Sequence, residues 1–238
     1  MTEALTASPA SADRPAITDG TGHRARLRQR LIDGGHEALH DHELVEYLLG
    51  LALPRRDTKP LAKQLLHDFG GLPALLTADA GALSRSGLSD GAVGALKIAQ
   101  ASALRLLKVQ VTGRPVLSNW QALIDYLRAD MAHLGVERVR VLFLNSKNVL
   151  IADELLSQGS VDEAAVYIRE VIRRALELTA TAIILVHNHP SGDPAPSRQD
   201  IQLTRDIVEA GRHLKIAVHD HVIIGAAGHV SLRAQGLL

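Results

Sequence analysis

The stretch that decides the fold is Ala182–Asp200, AIILVHNHPSGDPAPSRQD. Ala182 to Val186 is a short apolar run rich in β-branched residues, the pattern of a buried strand. His187 and His189 follow at its end. Side chains two apart on a strand share a face, so both imidazoles can reach one point in space. Pro190 stops the strand, and Ser191-Gly192-Asp193-Pro194-Ala195-Pro196 reads as a turn-rich loop. Ser197 opens an amphipathic helix with Asp200 in its first turn. A loop of this length folds the helix start back over the strand end. Two neutral imidazoles and one carboxylate then converge and leave a fourth position for water. That is the ligand set of a catalytic zinc (Zn2+) site rather than of a closed structural one.

Each of these residues also has a plainer reading. A single His at a strand end is commonly capped or solvated. Ser197 and Asp200 fit an N-cap and its N3 acid, close to a capping box. The helix dipole favours an acid in the first turn as well. Neither alternative explains why two His flank Asn188 at the end of an apolar strand. Neither explains why Asp200 arrives by way of a Pro-Gly-Pro loop.

His187-Asn188-His189-Pro190-Ser191-Gly192, followed by Pro196-Ser197 and Asp200, resembles the HxHP-x6-S-x2-D signature of the JAB/MPN (JAMM) metalloproteases, in the variant carried by the bacterial RadC-like proteins. The similarity runs from about Leu31 to Leu238. It implies His187, His189 and Asp200 as zinc ligands. It implies Ser197 as a hydrogen-bond donor to a developing oxyanion, and Glu154, five residues before Gly159, as the general acid/base. Taken alone, Glu154 reads as a surface strand carboxylate, with Asp153 on the opposite face. Asp220 and His221 match a family Asp-His pair and are either support for the ligands or core polar groups. One departure stands out. Family members usually carry Val-His-Pro-Arg-Glu after the general acid, where this chain has Val166-Tyr167-Ile168-Arg169-Glu170. The ligand positions are untouched, so the change bears on the pocket wall and the choice of substrate. The implied reaction is zinc-dependent amide or isopeptide hydrolysis of a protein or peptide. The rival implied role is a DNA-associated repair factor.

Composition narrows the classes. The 238 residues are 46% hydrophobic but only 3% aromatic, so aliphatic side chains must fill the core. Formal net charge is zero; residues 1–115 carry 14 basic and 12 acidic groups, too even to argue for nucleic acid from bulk charge. There is no Cys, which excludes disulfides, thiolate zinc sites and a cysteine nucleophile. No 18-residue apolar span and no apolar signal core occur, so no membrane partner and a cytoplasmic location are expected.

Residues 1–22, rich in Ala, Ser, Thr, Asp and Pro, read as a disordered tail. Residues 23–110 read as a small all-helical domain, 111–118 as a linker, and 119–238 as an α/β (α+β) MPN/JAB domain. Its sheet is expected to be mixed and mainly antiparallel, flanked by helices. Arg24, Arg26, Arg28 and Arg30 form a basic run that reads as a solvated helix face or a nucleic-acid contact. His36-Glu37-Ala38-Leu39-His40 matches the helical HExxH zinc motif. However, Gly34-Gly35 precede it, and apolar periodicity starts only at Leu44, with Asp41 as the expected N-cap. A chance match is the better reading. Helices are expected over Leu44–Leu51, Pro60–Phe69, Leu72–Leu76 and Ala78–Leu83, and then through about Lys108. The turn Ser86–Gly91 resembles a helix-hairpin-helix element, which grips phosphate with turn amides and a helix N-terminus. The second turn Gly is Ser89 here, so DNA contact through residues 24–110 stands beside a purely structural hairpin. Trp120–Met131 and Ala164–Leu178 read as helices. Val139–Leu144 and Val149–Leu156 read as a hairpin, and Ile216–Ile224 and His229–Leu232 as the last strands.

Overall fold

A computed structural model describes residues 20–159 and 166–238. The chain opens with α1 (Gly20–Gly34), α2 (Asp41–Ala52), α3 (Lys59–Phe69), α4 (Leu72–Thr77), α5 (Ala80–Arg85) and the long α6 (Asp90–Val111). After α7 (Trp120–Met131) come β1 (Arg138–Leu144), β2 (Leu150–Gln158), α8 (Ile168–Glu177), β3 (Ala182–Asn188), α9 (Arg198–Arg212), β4 (Ala217–Gly225) and β5 (Gly228–Ser231).

The strands form one sheet in the order β2-β1-β3-β4-β5. Every pair is antiparallel except β3 with β4. Strands that lie parallel need a crossover, and α9 supplies it. The fold is thus the mixed, mainly antiparallel α/β arrangement that the pattern predicts. β3 is central and buried along its whole length, which is why it reads as an unbroken apolar run. One face of the sheet packs on α7 through Leu142, Leu144, Ile184 and Val186. The other packs on α8 and α9 through Val141, Phe143, Ile183 and Leu185. A separate cluster, including Val45, Leu49, Leu65, Leu83 and Leu96, holds the N-terminal helices together. Val111 and Val116, in the stretch read as a linker, are buried in the core beneath α7.

The N-terminal segment departs from expectation. α1 starts at Gly20, inside the stretch read as a disordered tail, and the rest of that stretch lies outside the described residues. α1 has little apolar content for periodicity to detect. It is held by buried Leu27 and by Arg24, whose guanidinium donates to the Leu53 and Pro54 carbonyls at 3.2 and 2.6 Å and to that of Arg56. Arg24 thereby satisfies carbonyls at the α2 C-terminus, where helical partners run out. α2 is capped by His40 rather than Asp41, and the His40 N–H donates to the Glu43 carboxylate at 3.0 Å. His36 and Glu37 lie in a separate 3-10 turn, Gly35–Glu37, so no helix runs through both His of the HExxH match. The expected Ala164 start of α8 falls partly on residues outside the description. Among the described residues, no helix is long and apolar enough to cross a membrane.

Candidate metal centre

The site forms where β3 ends and α9 begins. His187 is the next to last residue of β3 and is buried; His189 lies just beyond the strand and is partly exposed. Their Nε2 atoms are 2.9 Å apart. Asp200 reaches the pair from the first turn of α9, with Oδ1 at 3.2 Å from His187 Nε2 and Oδ2 at 3.6 Å from His189 Nε2. These three side chains are the one group able to hold a metal found among the described residues.

The local sequence explains the convergence. Gly192 takes φ +86, a left-handed conformation suited to Gly, and its N–H donates to the His189 carbonyl at 3.0 Å. The loop is fastened to the end of β4 by His189 N–H to the Ile224 carbonyl at 2.9 Å and Ala227 N–H to the Gly192 carbonyl at 3.0 Å. Gly225 permits this approach, because a Cβ there would lie 2.3 Å from the Gly192 carbonyl oxygen. At the helix start the capping box is real. Asp200 N–H donates to Ser197 Oγ at 3.1 Å, and Ser197 N–H donates to Asp200 Oδ2 at 2.7 Å. Asp200 Oδ1 is thus free of the cap and faces His187, while Oδ2 is shared between the cap and His189. Ser197 Oγ accepts in the cap, so its own proton remains available to another group.

The charges in the cluster point the same way. Burial pushes the Asp200 carboxyl up, but the His187, His189 and Ser197 contacts more than reverse this and hold it well below the carboxylate range. Contact with Asp200 raises His189, against burial, with help from the Asp193 carbonyl and from Glu137. His189 Nδ1 lies 2.8 Å from that carbonyl, which can only accept, so in the neutral ring a metal ligand must have, Nδ1 carries the proton and Nε2 presents a lone pair to the cluster. A carboxylate and a bare imidazole nitrogen crowded this closely call for a positive charge between them. Ligand atoms about 2.0–2.2 Å from a tetrahedral zinc are roughly 3.3 Å from one another. The three separations bracket that value, so the residues fit the ion.

Behind the cluster, His221 Nε2 is 2.8 Å from His187 Nδ1, and His221 Nδ1 is 2.6 Å from Thr204 Oγ1. Burial, followed by the neighbouring His187 ring, pushes His221 down to about 3, so it is neutral. The Asp-His pair therefore divides. His221 touches a cluster residue, whereas Asp220 accepts from Ser231 Oγ at 2.5 Å and from Arg233 N–H at 3.0 Å and ties β4 to the C-terminal segment.

Ser197 stands with the three cluster residues, but Glu154 does not. Its carboxylate is held by Arg174, with Nη2 to Oε1 at 2.6 Å and Nε to Oε2 at 2.8 Å, and Arg174 keeps it below the usual range. The register sets Glu154 opposite Val141, and Val141 opposite Leu185. Two strand spacings and two residues along then separate it from His187 by about 12 Å. A second carboxylate, Glu137, acts on His189 through its charge. Val139 pairs with His187, and continuing that register one residue past the ends of β1 and β3 would bring Glu137 toward His189. Asn188 brackets it: Oδ1 accepts from Arg138 N–H at 2.9 Å, and Nδ2 donates to the Val136 carbonyl at 3.1 Å. By strand alternation Glu137 shares the parity of Val141 and Phe143, which face α8 and α9.

In the N-terminal helices, Gly87 (φ +86) and buried Leu88 form the α5–α6 turn, and Ser89 caps α6. Asp90 occupies the first turn, where it would repel a phosphate. Arg30 pairs with Glu43 at 2.7 Å, so Arg24 and Arg30 both serve the fold.

Comparison with known proteins gives the family of the chain. A family model described as RadC-like JAB domain matches residues 117–237. The chain belongs to the RadC-like JAB family. A UPF0758 protein of Rhodobacter capsulatus is 52% identical over 213 residues, covering 89% of this chain and 100% of the relative. Another, from Ruegeria pomeroyi, is 49% identical over 217 residues, covering 91% of this chain and 97% of the relative. The five-stranded sheet, with its His-His-Asp cluster at the end of β3, is this chain's JAB domain.

Proposed function

We propose that this RadC-like JAB protein is a zinc-dependent hydrolase of amide bonds, with a peptide or isopeptide as substrate. The observation that supports this most is the meeting of His187, His189 and Asp200. A zinc ion held by these three side chains would polarise a substrate carbonyl and make water a better nucleophile. Ser197, with its hydroxyl proton uncommitted by the cap, donates to the oxygen that gains charge. The proton-transfer role that the resemblance gives to Glu154 goes instead to Glu137, because Glu154 is bound to Arg174. Glu137 takes the proton from the attacking water and delivers it to the leaving amine.

The test is elemental analysis of the purified protein. One zinc per chain is expected. His187→Ala with His189→Ala abolishes it, while His36→Ala with His40→Ala leaves it in place. Loss of zinc from the second pair instead would put the metal on the HExxH match and overturn the assignment.

A further inference from the structure

A metal-binding imidazole must offer a lone pair, and a neutral imidazole has one on only one of its two nitrogens. For His189 the Asp193 carbonyl settles which. His187 has no carbonyl partner. Its Nδ1 faces another imidazole, His221 Nε2, at 2.8 Å, and either ring could donate. The answer lies two links further on. Thr204 Oγ1 lies 2.5 Å from the Asp200 carbonyl oxygen and 2.6 Å from His221 Nδ1. The carbonyl can only accept, so the Thr204 hydroxyl proton goes to it, the usual back-bond of a helical Thr. Thr204 Oγ1 must then accept, which places a proton on His221 Nδ1 and leaves His221 Nε2 bare. His221 Nε2 in turn accepts from His187 Nδ1–H. The lone pair of His187 is thereby left on Nε2, the atom 3.2 Å from Asp200 Oδ1.

We infer that Thr204 and His221 are positioning residues that lock His187 in its Nδ1-protonated form, with Nε2 facing the metal position. The chain ends on the main chain of Asp200, itself a proposed ligand, so one buried line of hydrogen bonds joins two ligands through β3, β4 and α9. Thr204 and His221 are both buried, so water cannot substitute for a missing link. Without the hydroxyl, His221 can move its proton to Nε2 and donate to His187. His187 would then carry its proton on Nε2, pointing at the metal position and blocking it. This inference rests on the metal reading above.

The experiment uses the full chain, with Thr204→Val to remove the hydroxyl at nearly constant shape and Thr204→Ser to restore it. Co2+ and Zn2+ affinities are measured by competition with a chelator. Imidazole tautomers are read from long-range 15N–1H correlation spectra of the metal-free protein. Thr204→Val is expected to weaken metal binding by about 10- to 100-fold, a typical loss for a partner of a ligating His. Thr204→Ser should return it close to wild type, and wild-type His187 should carry its proton on Nδ1. Wild-type His187 protonated on Nε2, or a folded Thr204→Val that binds cobalt as tightly as wild type, would overturn the inference. If wild type binds neither metal, the metal reading fails by itself, and the tautomer spectrum still decides the hydrogen-bond chain. If Thr204→Val does not fold, Thr204→Ser and the wild-type spectrum decide it.

Discussion

Two carboxylates, Glu154 on β2 and Glu137 just before β1, compete for the proton-transfer role, and their surroundings separate them. Glu154 is satisfied by a two-point contact with Arg174, while Glu137 contributes through its charge to raising His189. A general base held below its ordinary range by a guanidinium is poorly matched to neutral pH. Glu137→Gln is therefore expected to reduce peptide hydrolysis by about 100- to 10,000-fold while zinc content stays at one per chain. Glu154→Gln should leave turnover near wild type and cost at most about 1 kcal/mol of stability, since the pair is about one-third exposed. Turnover on a peptide library, beside zinc analysis and urea unfolding, checks both; a large loss for Glu154→Gln alone would return the role to that residue. The contrast also marks how far the sequence could be read at this scale. His187, His189, Ser197 and Asp200 are local to one strand-loop-helix, and their spacing alone brings them together. Glu137 lies just before β1, and only the β1–β3 register turns it toward His189, which no local spacing encodes.

At the scale of elements, legibility followed apolar pattern. β3, α7 and the β1–β2 hairpin were readable because each buries a regular set of aliphatic side chains. α1 was not, because Leu27 and the Arg24 contacts with backbone carbonyls hold it rather than an apolar stripe. The bond between the β3–α9 loop and β4 was equally hidden, since it depends on the small size of Gly225. A Cβ there would meet backbone, which cannot rotate away. Gly225→Ala should cost about 1–3 kcal/mol, the usual penalty of overpacking, and weaken zinc binding by displacing the loop that carries the Asp193 carbonyl. Gly94 in α6 is the opposite case: it is exposed, and a Cβ there meets nothing within 4 Å. Gly94→Ala should stabilise the protein by about 0.5–1 kcal/mol through helix propensity. Urea unfolding of both variants gives the two signs; a neutral Gly225→Ala would show that the loop yields without cost.

Across the whole molecule, the neighbour of Glu154 matters more for stability than Glu154 does. Asp153 points to the α7 face and has a side-chain exposure of 1%. It accepts from Arg140 Nη2 at 2.6 Å, Arg140 Nε at 3.0 Å and Tyr126 Oη at 2.7 Å, with Lys108 Nζ at 3.5 Å. One carboxylate thus connects β2, β1, α7 and the C-terminal part of α6, the helix whose other end packs in the N-terminal core. Arg140 also pairs with Asp130, but that group is more exposed. Removing Asp153 leaves a buried guanidinium short of its main partner, a change that typically costs about 3–5 kcal/mol. Asp153→Ala is expected to fall in that range, lowering Tm by about 2–4 °C for each kcal/mol in a chain of this size. Replacing both partners, as in Arg140→Met with Asp153→Leu, should recover much of the loss, because no buried charge is then stranded. Trp120 is the sole tryptophan and packs against the core beneath α7, so its fluorescence follows the sheet domain, while far-ultraviolet circular dichroism follows the helices. If the Asp153 network couples the two regions, both signals move together in wild type and separate in Asp153→Ala. Coincident transitions in that variant, at an unchanged midpoint, would mean that the apolar contact of α6 with α7 joins the regions without it.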